Sequence, residues 1–239
     1  MTSQFGAIIV AAGKSKRFLS DDSSSETLCK KPFVRLAGKA VWEYSAELFR
    51  ARGDVGSIQL VVSPEDLDVV AREFEEELAR NRVELVPGGA ERYLSVWNAL
   101  EAMGDDAKYV AVHDAARPCV TERELDAVFA AALKTSAAIL AVRATSSFKR
   151  ARTVDDLETI EAPVSREKLW EAQTPQVFSR DVLVRAYRER PDDSVPTDDA
   201  ELVSRLGVSV VLAEGLRSNI KITQPEDLSL AAFYLGARR

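Results

Sequence analysis

The residues best suited to binding phosphates follow the first apolar run of the chain. The sequence Ala-Ala-Gly-Lys-Ser-Lys-Arg at 11–17 overlaps the end of the apolar run at 7–12. Small residues let the backbone approach a ligand, and backbone N–H groups together with Lys16 and Arg17 could hold phosphates. The alternative is an ordinary turn between a strand and a helix, with solvated lysines. The segment has neither the glycine pattern of dinucleotide-binding dehydrogenases nor that of P-loop ATPases, so both classes are disfavoured.

A carboxylate and a guanidinium follow the apolar run at 109–113. Asp114 stands where that run ends, and Arg117 comes three residues later. A carboxylate in this place could hold a divalent cation or a sugar hydroxyl, and the guanidinium could bind a phosphate. The alternative is an Asp–Arg ion pair that only stabilises the turn. His113 falls within the run itself, which favours a hydrogen-bonded core histidine over a general base.

A pair of glycines follows the apolar run at 83–86 and precedes a helical pattern. Gly88 and Gly89 would permit close approach of a flat base or a ribose. Arg92 and Ser95 lie three residues apart and therefore share one face of the predicted helix. The alternative is a plain helix start with surface charges.

Three segments in the second half of the chain carry polar side chains between apolar ones. The sequence at 197–201 contains Asp198 and Glu201 at the spacing of a helix cap, which is the favoured interpretation. Lys221 lies between apolar residues at 219–223, where binding a phosphate and a plain edge lysine are equally favoured. The segment at 173–178 is interpreted as a turn or an extended stretch with no chemistry of its own.

Short apolar runs alternate with longer amphipathic stretches along most of the chain. This alternation predicts an α/β fold with a mostly parallel sheet covered by helices on both faces. Ligands of such sheets bind beyond the carboxyl ends of the strands, where the polar segments described above fall. The predicted strands lie at 7–12, 57–63, 83–86, 109–113, 137–142 and 208–212. The predicted helices lie at 41–52, 64–80 (capped by Ser63), 91–103, 121–134 and 224–235.

The alternation breaks at 143–175, which predicts an extended arm or a small subdomain.

The chain has 239 residues, 32 Lys and Arg against 38 Asp and Glu, two cysteines and a single histidine. This composition predicts one globular domain over 1–239 and excludes a Cys/His zinc site and a disulfide framework. It favours a reduced cytoplasmic setting, and the net charge of −6 disfavours nucleic acid as a partner. No apolar run approaches the ~20 residues that span a bilayer, and we expect no signal peptide.

Taken together, the segments resemble the 2-C-methyl-D-erythritol 4-phosphate cytidylyltransferases of the non-mevalonate isoprenoid route. Ala-Ala-Gly-x-x-x-Arg at 11–17 alone indicates only a sugar-phosphate nucleotidyltransferase. Four further motifs are more specific, and the matches run in order over nearly the whole chain. They are His-Asp-Ala-Ala-Arg-Pro at 113–118, Gln-Thr-Pro-Gln-x-Phe at 173–178, Thr-Asp-Asp-Ala at 197–200 and Asn-Ile-Lys-Ile-Thr-x-Pro-Glu-Asp-Leu at 219–228.

The resemblance implies a Rossmann-like domain with a protruding arm at 143–175, working as a homodimer through that arm. It implies transfer of CMP from CTP to methylerythritol phosphate, with release of pyrophosphate and a need for Mg²⁺ or another divalent cation. The catalytic residues that it implies are Arg17 and Lys31 on the triphosphate, and Arg166 and Lys221 on the attacking phosphate. Those lining the nucleotide would be Ala11, Ala12, Gly13, Gly89, Ser95 and Asp114, the last near the ribose or the metal. The acceptor pocket would be completed by Arg117, Ser147 and Thr197.

The chain departs from the family pattern at several positions. Ser15 replaces a second glycine of the first loop, and Ala90 replaces an acidic residue after the glycine pair. The family lysine is equated with Lys31 without its usual preceding proline, and Ser146-Ser147 stands for Asp-Thr in the arm. These changes leave open the same chemistry on another polyol phosphate, such as ribitol 5-phosphate. A more distant alternative is a non-catalytic protein that binds CTP and releases no pyrophosphate.

Overall fold

The apolar runs of the chain form the strands of a central sheet. The computed structural model describes residues 4–13, 30–105, 107–191 and 194–237. In these ranges the central sheet has seven strands in the order β11-β7-β10-β6-β1-β4-β5. Its strands are β1 Phe5–Val10, β4 Val55–Val62, β5 Val83–Pro87, β6 Tyr109–Asp114, β7 Ala137–Arg143, β10 Trp170–Ser179 and β11 Val211–Glu214. Two small hairpins pair β2 Arg35–Leu36 with β3 Lys39–Ala40, and β8 Phe148–Val154 with β9 Leu157–Val164.

The sheet is parallel except at one strand. β1 pairs in parallel with β4 and β6, and β4–β5 and β7–β11 are also parallel. Only β10 runs the other way, antiparallel to both β6 and β7. The predicted mostly parallel α/β fold is therefore confirmed. Of the two interpretations of 173–178, the extended stretch is confirmed and the turn is wrong, because these residues lie within β10.

Helices cover both faces of the sheet. One apolar cluster joins Ile9 of β1 to helices on one face, and a second joins the neighbouring Ile8 to helices on the other. This placement follows from the strand geometry, in which successive side chains point to opposite faces. The helices of the described ranges are α1 Val41–Arg50, α2 Leu67–Glu73, α3 Glu75–Asn81, α4 Arg92–Ala102, α5 Glu122–Thr135, α6 Arg180–Arg188, α7 Asp199–Arg205 and α8 Glu226–Gly236.

The single helix predicted at 64–80 is wrong, because the chain breaks it twice. A 3-10 turn over Pro64–Asp66 precedes α2, and Phe74 separates α2 from α3 with φ −121° and ψ 23°. The Phe74 ring packs against Phe33 and Trp42, at centroid distances of 5.7 and 6.0 Å. Ser63 makes no side-chain cap, contrary to expectation, and instead its hydroxyl donates to the Ala12 carbonyl at 3.3 Å.

The region predicted as an arm contains the β8–β9 hairpin. Every residue of β8 is exposed, and Leu157 and Ile160 of the hairpin are each 68% exposed. The last residues of the predicted arm, from Trp170 onward, belong instead to β10 of the central sheet. Across the described ranges, none of the helices is both long and apolar enough to traverse a bilayer.

Candidate active site

A cavity of about 420 Å³ opens at the carboxyl ends of β1, β5 and β6. Parallel strands bring these ends to one edge of the sheet, and ligands of such folds bind at that edge. The cavity is lined by residues from four segments singled out in the sequence, those following β1, β5 and β6 and the one at 219–223, and by Lys31. The predicted residues among them are Ala11, Ala12, Gly13, Lys31, Gly89, Ser95, Asp114 and Lys221.

The glycine pair allows close packing against the segment that follows β1 and against α4. A Cβ on Gly88 would stand 2.7 Å from the Cβ of Ala12, and one on Gly89 would stand 2.4 Å from the Cβ of Leu94. The Ser95 hydroxyl accepts a hydrogen bond from the Gly89 N–H at 3.0 Å. A Cβ on Gly13 would meet no described protein atom within 4 Å, although Gly13 lines the cavity. The chain's own packing therefore explains the glycines at 88 and 89, whereas the space at Gly13 faces the cavity.

Asp114 lies among three cationic side chains. Its carboxylate accepts a hydrogen bond from the Lys221 Nζ at 2.7 Å, and the Nε atoms of Arg92 and Arg117 lie 3.6 and 3.9 Å away. Burial raises the pKa of Asp114, but Lys221 and Arg92 outweigh it and bring this pKa down to about 2. Asp114 is therefore a carboxylate at neutral pH. The Asp114–Arg117 contact is the longest of the three, because the Arg117 guanidinium donates at 2.7 Å to the Asn219 carbonyl.

His113 belongs to the support of the cavity. It is fully buried, and its ring nitrogens lie 3.0 Å from the Ser45 hydroxyl and 3.1 Å from the Thr174 hydroxyl. Burial lowers the pKa of His113 to about 4, so the ring is neutral near pH 7. Thr174 of β10 also accepts a hydrogen bond from the Asp114 N–H at 3.0 Å. The expected core histidine is confirmed, and with Thr174 it fixes the backbone that carries Asp114.

Two adjacent lysines have different surroundings. Lys31 lines the cavity, and its ammonium donates to the Thr223 carbonyl. Lys30 points to the β4–α2 connection, where its ammonium contacts Asp66 at 2.5 Å and Ser63 at 3.1 Å. This geometry distinguishes the two lysines. From the sequence alone, Lys31 could be matched to the family lysine only by alignment.

A second cavity of about 300 Å³ adjoins the first and shares Lys221 and Thr223 with it. Arg117 and Arg217 also line it, together with the carboxylates of Glu171 and Asp227. The backbone N–H groups of Thr223 and Gln224 donate to Asp227, and these bonds lower its pKa. The second cavity therefore places the cationic side chains of Arg117, Arg217 and Lys221 beside the first cavity.

Three predicted site residues lie outside both cavities. Arg166 and Ser147 are exposed at the base of the hairpin, where Arg166 donates to the Thr145 carbonyl. Thr197 is exposed before α7, and its hydroxyl donates to Glu201 at 2.8 Å. Asp198 caps α7 by accepting from the Glu201 N–H at 2.9 Å, which confirms the cap. Lys16, Arg17 and Ser15 lie outside the described residues.

Several residues that line the cavities were absent from the predicted site, among them Arg92 and Thr223. Arg92 begins α4 and contacts Asp114. Its position shortly after the glycine pair is the sequence feature that could have indicated a place in the site. Thr223 lines both cavities, and the only sequence feature that could have indicated it is its position close to Lys221.

The cavity has carboxylates suited to a divalent cation. No group of three or more metal-binding side chains occurs in the described part of the chain. Asp114 and Glu91 line the larger cavity. Because Mg²⁺ in nucleotide sites is commonly held by one or two carboxylates together with substrate phosphates, this donor set fits such an ion.

The whole chain is similar to known proteins. Residues 5–237 match the family described as 2-C-methyl-D-erythritol 4-phosphate cytidylyltransferase. A protein of that name from Solibacter usitatus is 38% identical, with 95% of this chain and 94% of the relative covered. Another from Rhodopirellula baltica is 40% identical, with 97% and 95% covered. The crystal structure of a 4-diphosphocytidyl-2C-methyl-D-erythritol synthase aligns with TM-score 0.77 and 30% identity, over 98% of this chain and all of the other. The chain therefore belongs to the 2-C-methyl-D-erythritol 4-phosphate cytidylyltransferase family.

Proposed function

We propose that this protein transfers CMP from CTP to 2-C-methyl-D-erythritol 4-phosphate, giving 4-diphosphocytidyl-2-C-methyl-D-erythritol and pyrophosphate in isoprenoid biosynthesis. Family membership supports this reaction. The observation that carries it is the cavity at the carboxyl ends of the parallel strands, which is lined by Lys31, Lys221 and Asp114. We also propose a cytoplasmic location, in keeping with the few cysteines of the chain.

The reaction joins two anions. A phosphate oxygen of the acceptor forms a bond to the α-phosphorus of CTP, and the bond from that phosphorus to the oxygen bridging the β-phosphate breaks. The electron pair leaves with pyrophosphate. Because the acceptor phosphate is already ionised near pH 7, the step needs alignment and positive charge rather than a strong base.

The cationic residues have separate roles in this proposal. Lys31, with Arg17, stabilises the charge that grows on the leaving pyrophosphate, and Lys221 orients the attacking phosphate. Gly89 and Ser95 line the cytosine, while Ala11, Ala12 and Gly13 approach the nucleotide with their backbone. Mg²⁺ or another divalent cation, held by Asp114 and the CTP phosphates, would neutralise charge on the triphosphate.

The second cavity is the place proposed for the acceptor. It shares Lys221 with the first cavity and contains the Arg117 guanidinium, so a polyol phosphate there would face the α-phosphorus. Arg166, Ser147 and Thr197 do not line it within one copy of the chain. We propose that the chain forms a homodimer through the 143–175 arm, whose hairpin exposes Leu157 and Ile160. The arm of one copy would then bring Arg166 and Ser147 to the acceptor of the other.

The test is a pyrophosphate-release assay with CTP and Mg²⁺, run with methylerythritol phosphate and ribitol 5-phosphate side by side. We expect release with methylerythritol phosphate and a kcat/KM at least tenfold lower with ribitol 5-phosphate. The reverse preference would contradict the proposed acceptor and leave the chemistry standing. Binding of CTP without release of pyrophosphate in the presence of either acceptor would indicate a non-catalytic nucleotide-binding protein.

A further inference from the structure

A buried carboxylate lies behind the nucleotide cavity without any role in the mechanism above. Asp199, the first residue of α7, has a side chain that is only 1% exposed. Its Oδ2 accepts a hydrogen bond from the Arg92 Nη1 at 2.8 Å, and its Oδ1 accepts one from the Tyr187 hydroxyl at 2.5 Å. A buried carboxylate is tolerated when it is paired and hydrogen-bonded, as here. Asp199 therefore holds the Arg92 guanidinium in a defined place.

Arg92 connects this buried pair to the cavity. Its Nη1 is bound to Asp199, while its Nε lies 3.6 Å from Oδ1 of Asp114. The other oxygen of Asp114, Oδ2, is bound by Lys221 at 2.7 Å. The two oxygens of Asp114 are thus drawn to different cations. Of these two cations, Arg92 is also bound by the buried carboxylate of Asp199, whereas the Lys221 side chain is 45% exposed.

The elements behind Arg92 are firmly placed. Tyr187 on α6 is 8% exposed, and its ring stacks on Trp97 of α4 at a centroid distance of 5.6 Å. The start of α7 is tied to β10, because Gln176 accepts from the Ala200 N–H at 3.1 Å and donates to Asp198 at 2.9 Å. A guanidinium held by such partners has little freedom to follow a ligand. Its orientation is therefore set by the fold before any nucleotide binds.

We propose that Arg92 is a positioning residue for the nucleotide site, held by Asp199 and Tyr187 and acting on CTP through the carboxylate of Asp114. This inference rests on the proposed function, since it assigns Asp114 to the bound nucleotide and its metal. The chain Tyr187–Asp199–Arg92–Asp114 runs from α6 through α7 and α4 to the end of β6. Each step but the last is a hydrogen bond of 2.8 Å or less, and the last is an ion contact.

The charges explain why the buried carboxylate matters. Arg92, Arg117 and Lys221 supply three positive charges and Asp114 and Asp199 two negative ones, so the group carries 3 − 2 = +1. Asp199 offsets Arg92 from the side away from the cavity. The Asp114 carboxylate is therefore aligned by Arg92 without having to neutralise it alone, and it stays available to the ligand.

A merely structural role makes a different prediction. If the network only fastened α4 to α6 and α7, a weakened network would lower stability and leave the affinity for CTP unchanged. A positioning role instead links the effect on CTP to the presence of the Asp114 carboxylate. Double-mutant comparison separates the two, because residues that act as a unit show non-additive effects.

The experiment uses Tyr187→Phe, which removes the hydroxyl and keeps the ring on Trp97. CTP binding in the presence of Mg²⁺ is measured by calorimetry, with the unfolding midpoint as a check on the fold. We expect an about fivefold higher Kd for CTP, which is less than the full effect of losing a hydrogen bond to a charged group because Arg92 keeps its own bond to Asp199. In an Asp114→Asn background the same change should alter Kd less than about twofold. Arg92→Lys, which keeps the charge but cannot bridge two carboxylates, should behave like Tyr187→Phe.

The matched control is Tyr44→Phe, which removes a hydroxyl bonded to the Leu36 carbonyl at 2.6 Å outside this network. It should leave the Kd for CTP unchanged. An unaltered Kd in Tyr187→Phe, or an equal loss with and without the Asp114 carboxylate, would overturn the inference while leaving the proposed function intact. If the unmodified protein does not bind CTP, the proposed function fails and this inference fails with it.

Discussion

Exchanging each of the two adjacent lysines for alanine tests the site most directly. Lys31 lines the nucleotide cavity, whereas Lys30 is bonded to Asp66 and Ser63 away from it. Because the two are neighbours with the same side chain, each variant is the natural control for the other. We expect Lys31→Ala to lower kcat and Lys30→Ala to lower stability.

The magnitudes follow from what each ammonium contacts. A charge-assisted hydrogen bond is worth about 1.5–3 kcal/mol, so losing the one from Lys31 to the triphosphate should lower kcat about 10- to 150-fold. The Asp66 side chain is 12% exposed and that of Lys30 is 22% exposed. Leaving this carboxylate unpaired should lower the free energy of unfolding by about 1–3 kcal/mol. The contact of Lys30 with Glu65 adds little, because the Glu65 side chain is 69% exposed.

Two measurements on each variant decide the outcome. Pyrophosphate release at saturating CTP and acceptor gives kcat, and thermal unfolding gives Tm. Lys30→Ala should shift Tm by about 3–10 °C, with kcat within about threefold of the unmodified protein. A Lys31→Ala protein with near-normal turnover would refute the assignment of Lys31. If Lys30→Ala instead lost turnover at unchanged Tm, the two lysines would have been assigned in the wrong order.

Three further expectations concern pH, assembly and metal. Burial lowers the pKa of His113 from 6.5 to about 4, so the unfolded chain binds the proton more readily and stability falls as the pH drops through this window. Urea unfolding at about pH 7.5 and about pH 5 should show a loss of about 2 kcal/mol that His113→Gln lacks; equal losses in both proteins would refute the assignment. Ile160→Asp should give monomers in sedimentation, while Glu161→Gln on the same strand keeps the dimer; a dimeric Ile160→Asp would argue against pairing through the hairpin. EDTA should abolish pyrophosphate release and Mg²⁺ restore it, and a rate insensitive to EDTA would contradict the need for a divalent cation.

The sheet was predictable where strands are buried on both faces, because their residues are continuously apolar. The strand β10 was missed because Gln173, Thr174 and Gln176 are polar, although all three are buried. Each finds a partner distant in sequence: Gln173 donates to the Leu216 carbonyl, Thr174 accepts from the Asp114 N–H, and Gln176 binds the start of α7. Local sequence does not contain these partners. The break at Phe74 has the same origin, since the ring packs on Phe33 and Trp42.

The site was predictable to the extent that it depends on strand ends. Segments following β1, β5 and β6 meet at one cavity because the strands are parallel. The position of Lys221 next to Asp114 needed the fold, since 107 residues separate the two. The different surroundings of Lys30 and Lys31 also needed it, because adjacent positions in a turn do not show which side chain faces inward. Arg166 and Ser147 lie apart from the cavity in a single copy, so their predicted roles depend on the proposed dimer.

The surroundings of the only histidine bear on how the reaction proceeds. His113 is fully buried, and its ring is hydrogen-bonded to Ser45 and Thr174 rather than facing either cavity. With a pKa of about 4 it stays neutral near pH 7, and it supports the backbone of Asp114 instead of exchanging protons with a substrate. An ionised acceptor phosphate does not need a proton removed, so the histidine can serve the structure alone. What two anions do need is fixed positive charge, and lysines and arginines that are themselves crowded together repel one another. The carboxylates of Asp114 and Asp199 offset that repulsion among the described residues, so the cations can be held in place before the substrates arrive.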